Sequence, residues 1–115
     1  MPTKTNKDGN SPSETRLVQI NLKKKISASE NLIFMNENNL DISLIQKPWV
    51  NERRIQGLNS KEFNLFYKVP EGDSNPRSCI LVRKGLIAFL LTDYCNEDTT
   101  AVVLESGNET IILVA

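Results

Sequence analysis

Residues 41–50, DISLIQKPWV, are the stretch from which the fold can be worked out. Residues 42–45 are mostly branched and apolar, which is typical of a buried β-strand. The run ends abruptly at the polar Gln46 and the cationic Lys47, before a stiff proline–tryptophan pair. Ligand sites in α/β sheets lie at the carboxyl ends of strands. The stretch therefore predicts a strand that presents Lys47 at a sheet edge, although a solvated lysine is the more common explanation.

A second strand is predicted upstream, where the apolar Leu17, Val18 and Ile20 precede the polar Asn21. If the two strands are parallel, their carboxyl ends meet at one edge, and Asn21 and Lys47 come out together. Asparagine after a strand is also ordinary turn chemistry, and the residues alone favour that interpretation.

Between these strands, the sequence changes to a helical period. Ser27 or Ser29 fits a helix cap, and Ser27 with Glu30 fits a capping box. The apolar residues spaced to face a core are Ala28, Leu32, Ile33 and Met35. Asn38 and Asn39 end the helix. Strand, helix and strand together predict a βαβ unit with both strands buried.

The rest of the chain is rich in strand signals. We interpret residues 48–62 as a polar connection, and the alternation of Phe63, Leu65 and Tyr67 predicts a strand with one buried face. Further strands are predicted at residues 78–84, 85–92, 99–105 and 109–115. The expected fold class is α/β: a strand–helix–strand start followed by mostly antiparallel strands.

Composition excludes several classes of protein. Fourteen basic and 14 acidic residues give a net charge of zero, so overall charge predicts no nucleic-acid or membrane partner. The chain has no histidine, and Cys79 and Cys95 are too few for a zinc site. Residues 86–91, the longest apolar run, are too short to span a bilayer. We expect an intracellular protein with reduced thiols, in which Cys79 is a core residue and Trp49 a packing anchor.

The organisation expected is a tail followed by one domain. Residues 1–15 lack the apolar side chains that bury a surface, which predicts a disordered tail. Residues 16–115 then form a domain that ends on an apolar strand at Ala115, without a layer to cover it. We expect the N-terminal part of a two-sheet α/β sandwich, truncated at its C-terminus. A missing C-terminal half or another protein would cover its exposed apolar sheet.

Two basic clusters are candidates for weak nucleic-acid binding. Lys23, Lys24 and Lys25 follow the first predicted strand, and Arg53 and Arg54 lie in the polar connection. Such side chains can contact DNA phosphates, although solvated loops more often explain them.

Five segments, in this order and spacing, resemble the endonuclease/exonuclease/phosphatase superfamily. They are VQINLKKKISASENL, DISLIQKPWV, IQGL, NPRSCILVRKG and DYCNEDTTAVVL. Within it, residues 16–115 are most similar to the apurinic-endonuclease-like domain of jockey-like non-LTR retrotransposons. The resemblance implies a two-sheet α/β sandwich that hydrolyses a DNA phosphodiester with Mg²⁺ before reverse transcription, and hence a nuclear location.

The resemblance also assigns two site positions. Asn21 matches the first-strand asparagine of the family, which helps to orient the metal and its water. Lys47 stands where the family has its metal-binding glutamate, and an ammonium group has no lone pair to donate to Mg²⁺. The later catalytic residues of the family, a tyrosine, an Asp-x-Asn pair and a Ser-Asp-His element, would lie beyond Ala115. We therefore expect an inert chain that does not bind Mg²⁺. The alternatives are a non-catalytic nucleic-acid-binding fragment and an unrelated α/β interaction module.

Overall fold

The computed structural model of the protein describes the backbone of residues 15–21 and 25–115, and the side chains of residues 15–21 and 28–115. The predicted disordered tail, apart from residue 15, lies outside the described residues. Within them, no helix is long and apolar enough to cross a membrane. The elements follow in the order β1 (Leu17–Asn21), α1 (Lys25–Glu37), β2 (Ile42–Gln46), β3 (Val50–Asn51), β4 (Arg54–Ile55), β5 (Phe63–Phe66), β6 (Ser78–Arg83), β7 (Ile87–Leu90), a 3-10 turn (Thr92–Tyr94), β8 (Ala101–Ser106) and β9 (Glu109–Val114).

Over the described residues, a four-stranded sheet, a three-stranded sheet and helix α1 form a layered α/β sandwich, which confirms the expected fold class. Sheet 1 has four strands in the order β1-β2-β6-β5, and sheet 2 has three in the order β7-β8-β9. Strands β1 and β2 are parallel, as the βαβ prediction required, and the remaining pairs in both sheets are antiparallel. Helix α1 therefore makes the crossover connection that a parallel pair needs.

Sheet 1 is apolar on both faces because each face borders a separate core. Ile42 and Leu44 of β2 join the core that fills the space between the two sheets. Ile45 joins the core on the helix side, where Ala28 and Met35 of α1 pack. A strand covered on both faces carries apolar side chains on both, which explains Ile42, Leu44 and Ile45, and the polar Ser43 between them is buried as well.

Strand β1 is less buried than expected. Within the described residues it pairs with β2 alone, and no β1 side chain belongs to the core between the sheets. Val18 and Ile20 pack toward the helix side, whereas Leu17 is about half exposed, at 49%. The apolar residues identified the strand correctly, but the prediction that both strands of the βαβ unit are buried was wrong for β1.

The helix differs from its prediction at its start and on one side. It begins at Lys25, so Ser27 and Ser29 lie inside it and the serine-cap prediction was wrong. Ile33 is 56% exposed, and the buried positions are Ala28, Asn31 and Met35, which recur at the i, i+3, i+7 spacing of one helix face. The predicted stop is confirmed, because the helix ends at Glu37 and Asn39 has a left-handed φ of 52°.

Residues 48–62 contain a hairpin that the sequence analysis interpreted as a polar connection. Val50 pairs with Ile55, and the two turn residues between the strands, Glu52 and Arg53, have φ angles of 53° and 65°. Positive φ at both central positions is the conformation of a tight type I′ hairpin turn. The usual asparagine or glycine is absent there, so the turn carried no signal in the sequence.

This hairpin segment approaches the helix at Gly57, which lies between Ala28 and Trp49. A Cβ atom at Gly57 would lie 2.9 Å from the Ala28 Cβ and 3.2 Å from the Trp49 ring, so only glycine fits between them. Gly57 also has a φ of 82°, which L side chains rarely adopt. Trp49 is thus in the packed position expected of an anchor.

The outer face of sheet 2 is apolar and exposed. Phe89, Val103 and Ile112 lie opposite one another across its three strands. Phe89 is 56% exposed and Ile112 is 63% exposed, and Ile87 and Val114 are similarly open. The expectation of an exposed apolar sheet face is confirmed for the described part of the chain.

Candidate functional site

The carboxyl ends of β1 and β2 bring the two predicted site positions to one edge of sheet 1. Asn21 lies directly opposite Gln46 in the parallel register, and Lys47 follows as the next residue. All three side chains are exposed. The parallel pairing therefore gives the shared edge that the sequence predicted, while the roles of Asn21 and Lys47 stay predictions. We call this part of the molecule the strand-end edge.

Lys47 leaves the strand through a left-handed turn. Its φ is 55°, a conformation that costs an ordinary residue about 1–2 kcal/mol. Its backbone N–H donates to the Arg77 carbonyl at 2.9 Å, which ties the turn to the residue before β6. In the part of the chain that the structure describes, no carboxylate lies within 4.0 Å of the Lys47 ammonium. The charge at this edge is therefore not neutralised by a described side chain.

The acidic side chains next to Arg77 are already paired. The Arg77 guanidinium contacts a carboxylate oxygen of Asp98 at 2.9 Å and one of Glu97 at 4.0 Å. The Arg77 N–H also donates to the Glu97 carbonyl at 2.7 Å. The loop that holds these acids is shaped by Asn96, whose side-chain oxygen accepts the N–H groups of Asp98 and Thr99. Two carboxylates near the edge are thus bound to a cation of the protein itself.

A buried hydroxyl pair joins the two sheets at this end of the sandwich. The Ser78 and Thr100 hydroxyl oxygens are 2.9 Å apart, and the Thr100 hydroxyl also lies 3.1 Å from the Ser78 carbonyl, to which it donates. Both residues are 1% exposed. Ser78 lies opposite Gln46 in the register of sheet 1, so this pair anchors the strand beside the strand-end edge. Sequence reasoning missed it, because a serine and a threonine at strand starts carry no distinctive pattern.

The residues at the strand-end edge do not fit a Mg²⁺ site. Magnesium needs carboxylate, carbonyl or water oxygens, and it is held in proteins by one or more carboxylates. Across residues 15–21 and 25–115, no three acidic or cysteine side chains come together as a metal cluster. The edge offers two amide side chains, Asn21 and Gln46, next to the positive charge of Lys47. That set of groups is suited to contact an anion.

The predicted basic residues fall in different places. Lys23 and Lys24 lie outside the described residues, as does the side chain of Lys25, the first residue of α1. The half-buried Arg53 donates from its guanidinium to the Pro70 carbonyl, so in this structure it holds a loop. Arg54 is exposed and lines a cleft on β5 instead of the strand-end edge. Their contact with nucleic acid stays a prediction.

Both cysteines are free and buried, and neither is a candidate nucleophile. Burial raises the pKa of the Cys79 thiol far above its ordinary value, which keeps the thiol protonated and unreactive. The Cys95 thiol lies 3.2 Å from the Leu91 carbonyl and accepts the Ala101 N–H at 3.4 Å, so it stabilises a turn. The interpretation of Cys79 as a core residue is confirmed.

Comparison with known proteins shows a similarity in fold. No family model matches the chain, and no curated protein matches it. Among solved structures, the fold is similar to the endonuclease domain of TRAS1, a telomere-specific non-LTR retrotransposon, with a TM-score of 0.72 and 23% sequence identity. The match covers 89% of this chain and 43% of that one, so this chain spans less than half of the TRAS1 domain. The similarity establishes the α/β fold.

Proposed function

We propose that this chain has the fold of a DNA endonuclease but binds the DNA backbone without hydrolysing it. Two findings support the proposal: the similarity to the TRAS1 endonuclease domain and the position of Lys47. The second carries it, because the family resemblance requires a metal-binding glutamate at that place. The proposal includes descent from a non-LTR retrotransposon endonuclease and a nuclear site of action, where DNA is found.

Electrostatic repulsion opposes the binding of a metal ion beside Lys47. At a separation of about 4 Å and an effective dielectric constant of about 20, the repulsion between an ammonium group and a divalent ion is roughly 8 kcal/mol. A metal site with millimolar affinity is worth only about 4 kcal/mol in total. The repulsion exceeds the whole binding energy of such a site, so the wild-type chain does not hold Mg²⁺ beside Lys47.

The same charge favours direct contact with DNA. A metal ion in a phosphodiesterase site neutralises phosphate charge, and a lysine at the same place puts one positive charge against a phosphate oxygen without a metal. Asn21 and Gln46 add amide donors at the same edge. Each phosphate that the chain neutralises contributes about −0.9 to the slope of log K against log salt.

A nicking assay tests the absence of hydrolysis. The full chain is incubated with supercoiled plasmid and Mg²⁺, and the proposal expects no conversion to the open circle above a blank. Lys47→Gln and Lys61→Gln are compared for binding to a short duplex across salt concentrations. Lys61 is a matched control because it precedes β5 at the Arg83 end of sheet 1, whereas Gln46 pairs at the Ser78 end. Lys47→Gln should reduce the salt slope by about 1, and Lys61→Gln should leave it unchanged. Robust Mg²⁺-dependent nicking by the wild-type chain would refute the proposal.

We also infer that further polypeptide covers the outer face of sheet 2. The apolar row of Phe89, Val103 and Ile112 supports this, because Phe89 and Ile112 are more than half exposed and soluble monomers rarely leave such contiguous apolar faces open. The covering layer that we propose corresponds to part of the TRAS1 domain outside the matched 43%. Binding of a hydrophobic dye to the isolated chain, reduced by Ile112→Thr, would support an open face. A chain that binds no dye would contradict it.

A further inference from the structure

A cleft of about 470 Å³ runs beside β5, away from the residues of the strand-end edge. Its walls come from β4, from β5 and from the residues that flank them. Neither Asn21 nor Lys47 lines it. Its volume falls within the range of roughly 300–1,000 Å³ that is usual for small-ligand sites. The cleft is therefore large enough for a ligand and separate from the proposed DNA-backbone site.

One wall of the cleft is apolar and firmly supported. It includes Phe63 and Leu65, which alternate along β5 toward the helix side. The Arg83 guanidinium lies 4.7 Å from the centroid of the Phe63 ring. Arg83 is itself fixed by the Asp41 carboxylate at 3.3 Å and the Leu40 carbonyl at 2.6 Å. This support keeps the wall in place without bringing the Arg83 charge into the cleft lining.

The charged groups that line the cleft are both cations. Arg54 comes from β4, and Lys84 follows β6. Over the described part of the chain, neither has a carboxylate within 4.0 Å, and no acidic side chain is among the lining residues. Glu62 is the acid next to β5, and its carboxylate accepts the Ser60 hydroxyl at 2.8 Å. Two positive charges without described partners favour an anionic ligand.

Hydrogen-bond donors complete the lining. The Tyr67 hydroxyl accepts the Ile55 N–H at 3.2 Å, which positions the oxygen and leaves its proton to be donated elsewhere. The exposed amides of Asn59 and Asn64 also line the cleft. With Gln56, which lines the cleft as well, the combination is an apolar wall with a phenol ring, three amides and two cations. A ligand that fits it carries both a flat, weakly polar body and a negative charge.

We infer that this cleft binds a 5′-nucleotide, with Arg54 and Lys84 contacting the phosphate and the base lying against Leu65 and Tyr67. Arginine and lysine are the side chains that bind phosphate most often, and aromatic side chains pack against bases. A free mononucleotide and the 5′ end of a single strand share this chemistry. The inference rests on the cleft alone and holds whether or not the strand-end edge binds DNA.

The test is a titration of the isotopically labelled full chain with adenosine 5′-monophosphate, followed by the backbone amide resonances. We expect shifts concentrated at Asn64, Leu65 and Tyr67, saturating with a single dissociation constant. Inorganic phosphate should cause smaller shifts of the amide resonances of Arg54 and Lys84 than the nucleotide does. Adenosine should bind at least threefold more weakly than the nucleotide. A 5′-phosphorylated tetranucleotide distinguishes the two sources, because the resonances of Asn64, Leu65 and Tyr67 saturate at a lower concentration of it than of the mononucleotide only if the cleft holds a strand end.

Variants make the result specific. Arg54→Gln and Lys84→Gln should each weaken binding by about three- to tenfold, since exposed charge contacts are worth about 1 kcal/mol. Lys61→Gln removes the same charge outside the cleft lining and should change the affinity by less than twofold. Lys47→Gln should also leave nucleotide binding intact, which separates this inference from the proposed function. Absent binding, equal weakening by Lys61→Gln, or equal affinity for adenosine would overturn the inference.

Discussion

The buried hydroxyl pair below the strand-end edge gives an asymmetric stability prediction. The Thr100 hydroxyl makes two contacts, with the Ser78 hydroxyl at 2.9 Å and the Ser78 carbonyl at 3.1 Å. Thr100→Val removes both and leaves the Ser78 hydroxyl buried without a described partner, which costs about 1–3 kcal/mol. Ser78→Ala removes one contact, and the Thr100 hydroxyl keeps the carbonyl, so the cost is about 0.5–1.5 kcal/mol.

The double variant sharpens this prediction. When both hydroxyls are replaced by apolar groups, no buried polar side chain of the pair is left unsatisfied, so the double variant should be more stable than Thr100→Val alone. Urea unfolding of the full chain, followed by the fluorescence of its single tryptophan, measures all three free energies of unfolding. A Ser78→Ala cost equal to or above that of Thr100→Val would refute the geometry. So would a double variant whose cost is the sum of the single costs.

Three further predictions test the packing. Gly57→Ala should lower the free energy of unfolding by about 2–4 kcal/mol, from left-handed strain and contact with the Trp49 ring; a change below 1 kcal/mol would contradict the packing. Burial raises the pKa of the Cys79 thiol above its ordinary value of 9.0, so the thiol of the unfolded chain ionises first. The free energy of unfolding should therefore stay constant below pH 9.0 and fall by up to about 1.4 kcal/mol per pH unit above it. Cys79→Ala should flatten this fall, and an unchanged slope in urea titrations would contradict the assignment. Phe89→Ser and Ile112→Thr should each reduce dye binding and self-association with less than about 1 kcal/mol of lost stability, because both side chains are more than half exposed; increased association would contradict this.

The βαβ start could be predicted because its signals are local. The mostly apolar run at residues 42–45 and the change of period after Asn21 identify two strands and a helix, and their connection requires a parallel pair. From the parallel pair follows the shared edge of Asn21 and Lys47. The substitution at Lys47 was visible only through the family resemblance, since a lysine at a strand end is otherwise ordinary.

The features that could not be predicted depend on contacts between distant residues. Leu17 is exposed because sheet 2 packs over the other strands of sheet 1, and nothing near Leu17 in the sequence encodes this. The turn at Glu52 and Arg53 adopts positive φ without a glycine or asparagine. The β5 cleft joins Arg54 of the β3–β4 hairpin to Lys84, which follows β6 of sheet 1, so the two cations come from different sheets and from distant parts of the sequence. Such assemblies become visible only in the folded chain.

The most direct test of the account is the metal dependence of duplex binding by the wild-type chain and by Lys47→Glu. Fluorescence anisotropy with a labelled duplex is measured in EDTA and in Mg²⁺ at one fixed salt concentration. We expect the wild-type chain to bind with no gain from Mg²⁺. We expect Lys47→Glu to bind weakly in EDTA and to gain affinity when Mg²⁺ is added, because the carboxylate replaces repulsion of the ion with attraction. Wild-type binding that requires Mg²⁺ would contradict the claim that Lys47 excludes the metal.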